Sequence, residues 1–133
     1  MNKPNVAFVC VHNSCRSQMA EALARLFASE VYNAYSAGTE VAPKINQDAV
    51  SIIKELYGVD MSEHQHSKSL EELPEIDILI TMGCNVSCPV LDYDYISEDW
   101  GLDDPSGKSD DEFKKVIDEI DFKVKDLINR LKN

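Results

Sequence analysis

Short apolar runs rich in β-formers alternate along this chain with amphipathic helical stripes, and that alternation restricts the fold more than any other feature. Asn5-Val6-Ala7-Phe8-Val9-Cys10, Val31-Tyr32-Asn33-Ala34-Tyr35-Ser36 and Ile76-Asp77-Ile78-Leu79-Ile80-Thr81-Met82 read as strands, the first and third buried on both faces. From Arg16 to about Ser29, Met19, Ala20, Leu23, Ala24, Leu26 and Phe27 recur at helical spacing, with Gln18, Glu21, Arg25 and Glu30 on the other side. A second helix is predicted from Ile45 to Tyr57, striped by Ala49, Ile52, Ile53 and Leu56 and stopped by Gly58. Val59–Leu73 is polar and irregular apart from one short helix starting at Ser69, where Ser69-Leu70-Glu71-Glu72 has the form of a capping box. Val90–Ile96 is read as a fourth strand, Ser97–Lys108 as a loop, and Asp110–Leu131 as a long helix with Phe113, Val116, Ile117, Ile120, Val124, Leu127, Ile128 and Leu131 inward. Such alternation predicts an α/β fold, a four-stranded parallel sheet with helices on both faces. Sites in these sheets gather beyond the carboxyl ends of the strands, so Cys10, the loop after Met82 and the acidic loop after Ile96 are expected on one rim.

At 133 residues the chain is expected to form one domain over 1–133. Its 13 basic and 24 acidic residues give a formal charge of −11, which repels nucleic acid and anionic membranes. No apolar run approaches the roughly 18 residues of a membrane helix, and Met1-Asn2-Lys3-Pro4-Asn5 lacks the pattern of a signal peptide, so a cytoplasmic location is expected. Four cysteines in such a chain point to catalytic, redox or metal chemistry before a structural disulfide framework.

Between the first strand and the first helix lies Cys10-Val11-His12-Asn13-Ser14-Cys15-Arg16-Ser17, which has the makings of an anion cradle. A thiol and a guanidinium at the two ends of a loop can face each other across a tetrahedral oxyanion. The loop's N–H groups would point inward, and the following helix would bring its positive dipole end. The same field favours Cys10 as the nucleophilic thiolate. Ser17 can donate to that sulfur, and Asn13 suits the left-handed backbone of a tight loop. The bland alternative is a buried Cys10 and a surface Arg16.

The stretch from Cys10 to Glu21 resembles the phosphate-binding loop of the arsenate reductases built on the low-molecular-weight protein tyrosine phosphatase fold. Tyr35-Ser36-Ala37-Gly38, Thr81-Met82-Gly83-Cys84, Cys88-Pro89 and Glu98–Pro105 follow that family in order, so the likeness spans nearly the whole chain. It implies a flavodoxin-like winding of the sheet. It also implies attack of Cys10 on arsenate, oxyanion binding by Arg16 and the backbone of Val11, His12, Asn13, Ser14, Cys15 and Arg16, and a thiolate held by Ser17. Asp104, directly before Pro105, corresponds to the family's general acid, with Asp103 as a loop former. A turn in which these carboxylates cap the backbone is the alternative, favoured for Asp103 and not for Asp104. Phosphate and sulfate would compete as oxyanions.

In the family's thioredoxin-coupled scheme, Cys84 attacks the Cys10 adduct, releases arsenite and leaves a Cys10–Cys84 disulfide. Cys88 then attacks Cys84 and carries the disulfide outward to thioredoxin or a similar dithiol protein. Only Asn85-Val86-Ser87 separates these two cysteines, a shorter span than in well-known members, yet two thiols four residues apart can meet on a helical turn. The alternatives are buried small residues, or half a zinc site with His64 and His66, whose polar loop suggests surface histidines instead. Cys15 reads as a packed loop residue, His12 as pointing to solvent, and Trp100 as packing the loop over the site or plain core. Some family members hold potassium. Asn13, Glu21 and Ser36 match three of its ligands, but Ser67 stands where an aspartate would be the fourth, so no metal and no cofactor is assigned. The competing functions are a low-molecular-weight phosphatase and a non-catalytic oxyanion- or metal-binding protein.

Overall fold

The computed structural model of the protein describes residues 3–10, 13, 15–40, 44–83, 93 and 95–132. At its centre lies β1 (Asn5–Cys10), whose side chains from Val6 onward are buried on both faces, as a continuous apolar run requires. It pairs in parallel with β2 (Asn33–Gly38) on one side and β3 (Ile78–Thr81) on the other, and β3 pairs in parallel with β4 (Ile96–Asp99). The order is β2-β1-β3-β4, the doubly wound arrangement. In register, Cys10 faces Gly38, Val9 faces Thr81 and Thr81 faces Asp99. The carboxyl ends of all four strands therefore form one rim.

Alternation along β1 feeds two apolar clusters. Val6, Phe8 and Cys10 join residues of α1 (Arg16–Ala28), α2 (Gln47–Tyr57) and α4 (Asp110–Lys132), among them Met19, Leu23, Ile53, Ile117 and Ile120. Ala7 and Val9 pack with Ile76 and Leu79 under Leu70, Leu73, Tyr35 and Tyr95. Local signals set most ends. Asn46 Oδ1 accepts the Asp48 and Ala49 N–H groups to start α2, and Gly58, at φ 72°, ends it. Ser69 and Glu72 close the expected capping box on a single 3-10 turn at Leu70–Glu72.

The structure corrects the sequence reading in several places. The fourth strand is Ile96–Asp99, inside the segment read as loop; of Val90–Ile96, residues 93, 95 and 96 are described, and Ile96 alone is in the strand. Its edge position leaves it largely exposed, so it carries no buried apolar run for a sequence pattern to detect. The second strand begins at Asn33 and continues through Gly38, because its partners in register run to the end of β1. A one-turn helix, α3 (Met61–His64), capped by Asp60 and anchored by the buried Met61, lies in the stretch read as irregular.

The largest difference is on α1. Gln18 and Glu21, read as its polar side, are fully buried, whereas Leu26 and Phe27, read as stripe, are 46% and 37% exposed. Leu56 of α2 is likewise exposed. The reason is that the start of α1 is covered by chain on two sides, the sheet and the segment 65–68, as the hydrogen bonds of Gln18 and Glu21 show. No described helix is long and apolar enough to cross a membrane.

Candidate active site

Cys10 ends β1 with its side chain almost wholly buried, and Ser17 lies in the first turn of α1. Their Sγ and Oγ atoms are 2.9 Å apart. Between them in sequence, Asn13 takes φ 52°, the left-handed conformation that asparagine tolerates best among residues with a Cβ. Its Nδ2 donates to Ser17 Oγ at 2.9 Å. Its Oδ1 accepts the Lys68 N–H and Gln18 Nε2, each at 2.9 Å, which fixes the amide's orientation. The Asn13 amide takes one of the two lone pairs of Ser17 Oγ, and the hydroxyl hydrogen can point at the Cys10 sulfur, the direction that serves a sulfur anion.

Arg16 crosses the rim. Its Nη1 donates to Met82 O at 2.6 Å and Leu102 O at 2.9 Å, so one guanidinium nitrogen spans the loops that follow β3 and β4. Those loops are clamped together a second time, by Asp99 Oδ1 accepting the Gly83 and Gly101 N–H groups at 2.8 and 3.0 Å. Gly83 is required there: at φ 92°, a Cβ would lie 2.8 Å from Leu102 O. The expected convergence of the three loops on one rim is therefore what the fold delivers.

Cys15 caps α1 without a side-chain hydrogen bond to its backbone and is buried. Burial, with a hydrogen bond to Ser106 opposing it and the nearby Asp104 and Cys10 adding to it, pushes its thiol up to about 12. It stays a neutral thiol at physiological pH, in keeping with a packed loop residue. Asp104 is exposed, and its Oδ1 accepts the Ser106 N–H at 3.0 Å. Partial burial raises its carboxyl, but the backbone and hydroxyl hydrogen bonds of Ser106 and the charges of Arg16 and Lys108 outweigh that and hold it below its ordinary value. The turn-capping carboxylate is thus Asp104, the reverse of the sequence expectation that gave this part to Asp103. Trp100 is buried against Phe8, ring centres 5.4 Å apart, and donates from Nε1 to Glu98. His64 and His66 are exposed. Val11, His12 and Ser14 of the cradle and Cys84 and Cys88 of the expected relay lie outside the described residues.

Behind the cradle is a buried polar layer that helical periodicity gave no means of finding. Gln18 Nε2 also donates to Asn13 O and His66 O, Gln65 Nε2 donates to Gln18, and Ser67 Oγ donates to Asn13 O. Glu21 sits beneath, receiving the Ser36 hydroxyl on Oε1 at 2.6 Å. Lys68 Nζ is 3.4 Å from the same oxygen, and Arg25 Nη2 is 3.0 Å from Oε2, off the hydrogen-bonding line.

These residues do not fit a potassium ion. Asn13, Glu21 and Ser36 do assemble, but Lys68 Nζ already lies on the Glu21 carboxylate and Asn13 Oδ1 has two donors. Ser67, at the fourth ligand position, directs its hydroxyl to a backbone carbonyl. A further monovalent cation about 4 Å from the ammonium would be repelled by about 4 kcal/mol at an effective dielectric constant of 20. Among the described residues, no group of three or more metal-ligating side chains is assembled.

Known proteins resemble this chain over its full length. Arsenate reductase 1 of Staphylococcus epidermidis is 38% identical over 134 residues, covering 98% of this chain and 100% of that protein. A solved arsenate reductase in its phosphate-binding state superposes with a TM-score of 0.83 at 33% identity, covering 98% of this chain and 99% of the other. The thioredoxin-dependent arsenate reductase of Corynebacterium glutamicum superposes with a TM-score of 0.76 at 32% identity, covering 98% of this chain and 63% of that one. The model of the low molecular weight phosphotyrosine protein phosphatases matches residues 5–133, from the strand that carries Cys10 to the end of α4. On that match, the chain belongs to the low molecular weight phosphotyrosine protein phosphatase family and, within it, is similar over its full length to arsenate reductases.

Proposed function

We propose that this protein reduces arsenate to arsenite, with Cys10 as the nucleophile and a dithiol protein of the thioredoxin type as electron donor. The observation that carries the reading is the 2.9 Å contact of Cys10 Sγ with a Ser17 hydroxyl already oriented by Asn13, at a rim that Arg16 spans. The names of the relatives point the same way. Two N–H groups of Arg16 sit on Nη1, which two carbonyls hold. The other three, on Nε and Nη2, have the spacing of a fork for two oxyanion oxygens.

Cys10 sulfur attacks arsenic, a sulfur–arsenic bond forms, and one arsenate oxygen leaves as water. Asp104 starts this step as a carboxylate. It takes the proton released as sulfur and oxyanion combine and passes it to the departing oxygen. Cys84 then attacks Cys10 sulfur. The sulfur–arsenic electron pair stays with arsenic, which leaves as arsenite, and the two sulfurs are oxidised to a disulfide. Attack of Cys88 on Cys84 restores the Cys10 thiol and leaves a Cys84–Cys88 disulfide, which the external dithiol reduces.

The same cradle and carboxylate serve hydrolysis of phosphomonoesters, and the family model bears the phosphatase name, so that is the competing reading. Arsenate-dependent NADPH oxidation coupled through thioredoxin and its reductase, run beside p-nitrophenyl phosphate turnover, separates them. Reduction is expected to dominate, and Cys84→Ser is expected to abolish it while leaving phosphatase turnover. Unimpaired reduction by Cys84→Ser would sink the relay.

A further inference from the structure

A lysine ammonium enclosed with a carboxylate directly behind a nucleophilic loop calls for a reason. Glu21 is fully buried and the Lys68 side chain nearly so, with Nζ 3.4 Å from Glu21 Oε1 and 3.2 Å from His66 O. The backbone of the same lysine is stitched into the cradle: its N–H donates to Asn13 Oδ1 and its carbonyl accepts the Gly38 N–H, both at 2.9 Å. From Asn13 the line continues through Nδ2 to Ser17 Oγ and on to Cys10 Sγ, each step 2.9 Å. The backbone N–H of the residue that carries this charge thus sits three hydrogen bonds from the reacting sulfur.

We propose that Lys68 is a tethered monovalent cation: its ammonium neutralises Glu21 in the place where a potassium ion would otherwise be required, and so holds Asn13 and Ser17 aligned on Cys10. Lys68 is a positioning residue, since it reaches the sulfur only through Asn13 and Ser17. Two independent features favour the covalently attached charge over a free ion. Ser67 supplies a hydroxyl donor, not the anionic oxygen that would help retain potassium. The three-residue run His66-Ser67-Lys68 also grips the cradle at three points, Gln18, Asn13 O and Asn13 Oδ1, so the ammonium comes with the segment that closes the cradle's rear. Arg25 Nη2 reaches Glu21 Oε2 at 3.0 Å, but from a half-exposed side chain and off the hydrogen-bonding line; with the ammonium removed, the buried Oε1 would keep only the Ser36 hydroxyl, and the segment bearing Lys68 would lose its ion pair with α1.

The inference uses Cys10 as the nucleophile of the proposed reaction, but its test needs no arsenate. Thermal melting and the rate of iodoacetamide alkylation at Cys10, read by mass spectrometry, are measured at constant ionic strength in sodium, potassium, choline and methylammonium chloride. The natural protein is expected to give the same melting temperature and alkylation rate in all four. Lys68→Ala is expected to alkylate about tenfold more slowly in sodium and choline, the worth of one hydrogen bond to a charged sulfur, and to recover in potassium and methylammonium. Lys68→Arg should retain the rate in every salt.

A specific rise of the natural protein's melting temperature in potassium would overturn the proposal, as would a Lys68→Ala variant that alkylates normally in sodium. Should Lys68→Ala not fold in sodium, refolding in potassium or methylammonium supports the proposal, and equal failure in all four salts overturns it. Loss of arsenate reduction with this salt pattern intact would sink the proposed function and leave the tethered cation standing.

Discussion

At the scale of the residue, each reactive group is governed by the hydrogen bonds of its immediate neighbours. Ser17 Oγ is held between the Cys10 sulfur and the Asn13 amide, and Asn13 is oriented by Gln18 and by the backbone of Lys68, 55 positions away. Asp104 is held as a carboxylate by Ser106 against the cost of its partial burial. A depressed carboxyl is ionised above its lowered value and loses its charge only as pH falls through it. The acidic limb of kcat/KM owed to Asp104 is therefore expected below the ordinary carboxylate value of 3.8, with no Asp104-dependent fall between about pH 8 and 5. Asp104→Asn should remove that limb and lower kcat by about 10² to 10⁴, the usual worth of a positioned proton carrier. A pH–rate profile of the two proteins checks both statements. An Asp104-dependent limb near pH 6 would mean that the carboxyl is raised, not lowered.

At the scale of the element, the site depends on how closely the ends of neighbouring strands approach. Arg16 can hold Met82 O and Leu102 O together because the loops after β3 and β4 touch at Gly83, where only glycine leaves room. Gly83→Ala would set a Cβ 2.8 Å from Leu102 O on a backbone of positive φ. It is expected to cost about 1–3 kcal/mol and to pull one carbonyl off Arg16. Differential scanning calorimetry should show the melting point fall by several degrees, about 2–8 °C for each kcal/mol in domains near this size, and phosphate should bind more weakly. Unchanged melting would show that the two loops move apart without penalty. Gly83 could be picked out in the sequence as part of Thr81-Met82-Gly83-Cys84, but its reason could not, because the atom it avoids lies in another loop.

At the scale of the whole molecule, the two apolar clusters on either side of β1 make the rim rigid. Phe8 has no exposed surface, joins the larger cluster and packs on Trp100 at the base of the loop that leads to Asp104. Phe8→Ala is expected to cost about 3–5 kcal/mol, a large share of the roughly 5–15 kcal/mol by which such domains are stable. Urea unfolding should show a lower midpoint at unchanged slope, and a loss under about 1 kcal/mol would mean the core collapses around the missing ring. The helical stripe of α4 was legible for the same reason that its loss would be costly. Phe113, Val116, Ile117, Ile120, Val124 and Leu127 are all buried, and burial on one face is the cause of the period.

By itself the sequence determined the alternation of strands and helices, the ends set by Gly58 and the Ser69 capping box, and the grouping of Cys10, Asn13, Arg16 and Ser17 in one turn of chain. These follow from local periodicity and from residues near each other along the backbone. Only the tertiary structure decided that Gln18 and Glu21 on the polar side of α1 face inward, that Asp104 is the carboxylate in the turn, that β4 lies at Ile96–Asp99, and that Lys68 meets Glu21. Periodicity reports that a helix has two kinds of face; which distant segment covers the polar one, and with what charge, is settled when the chain folds back on itself.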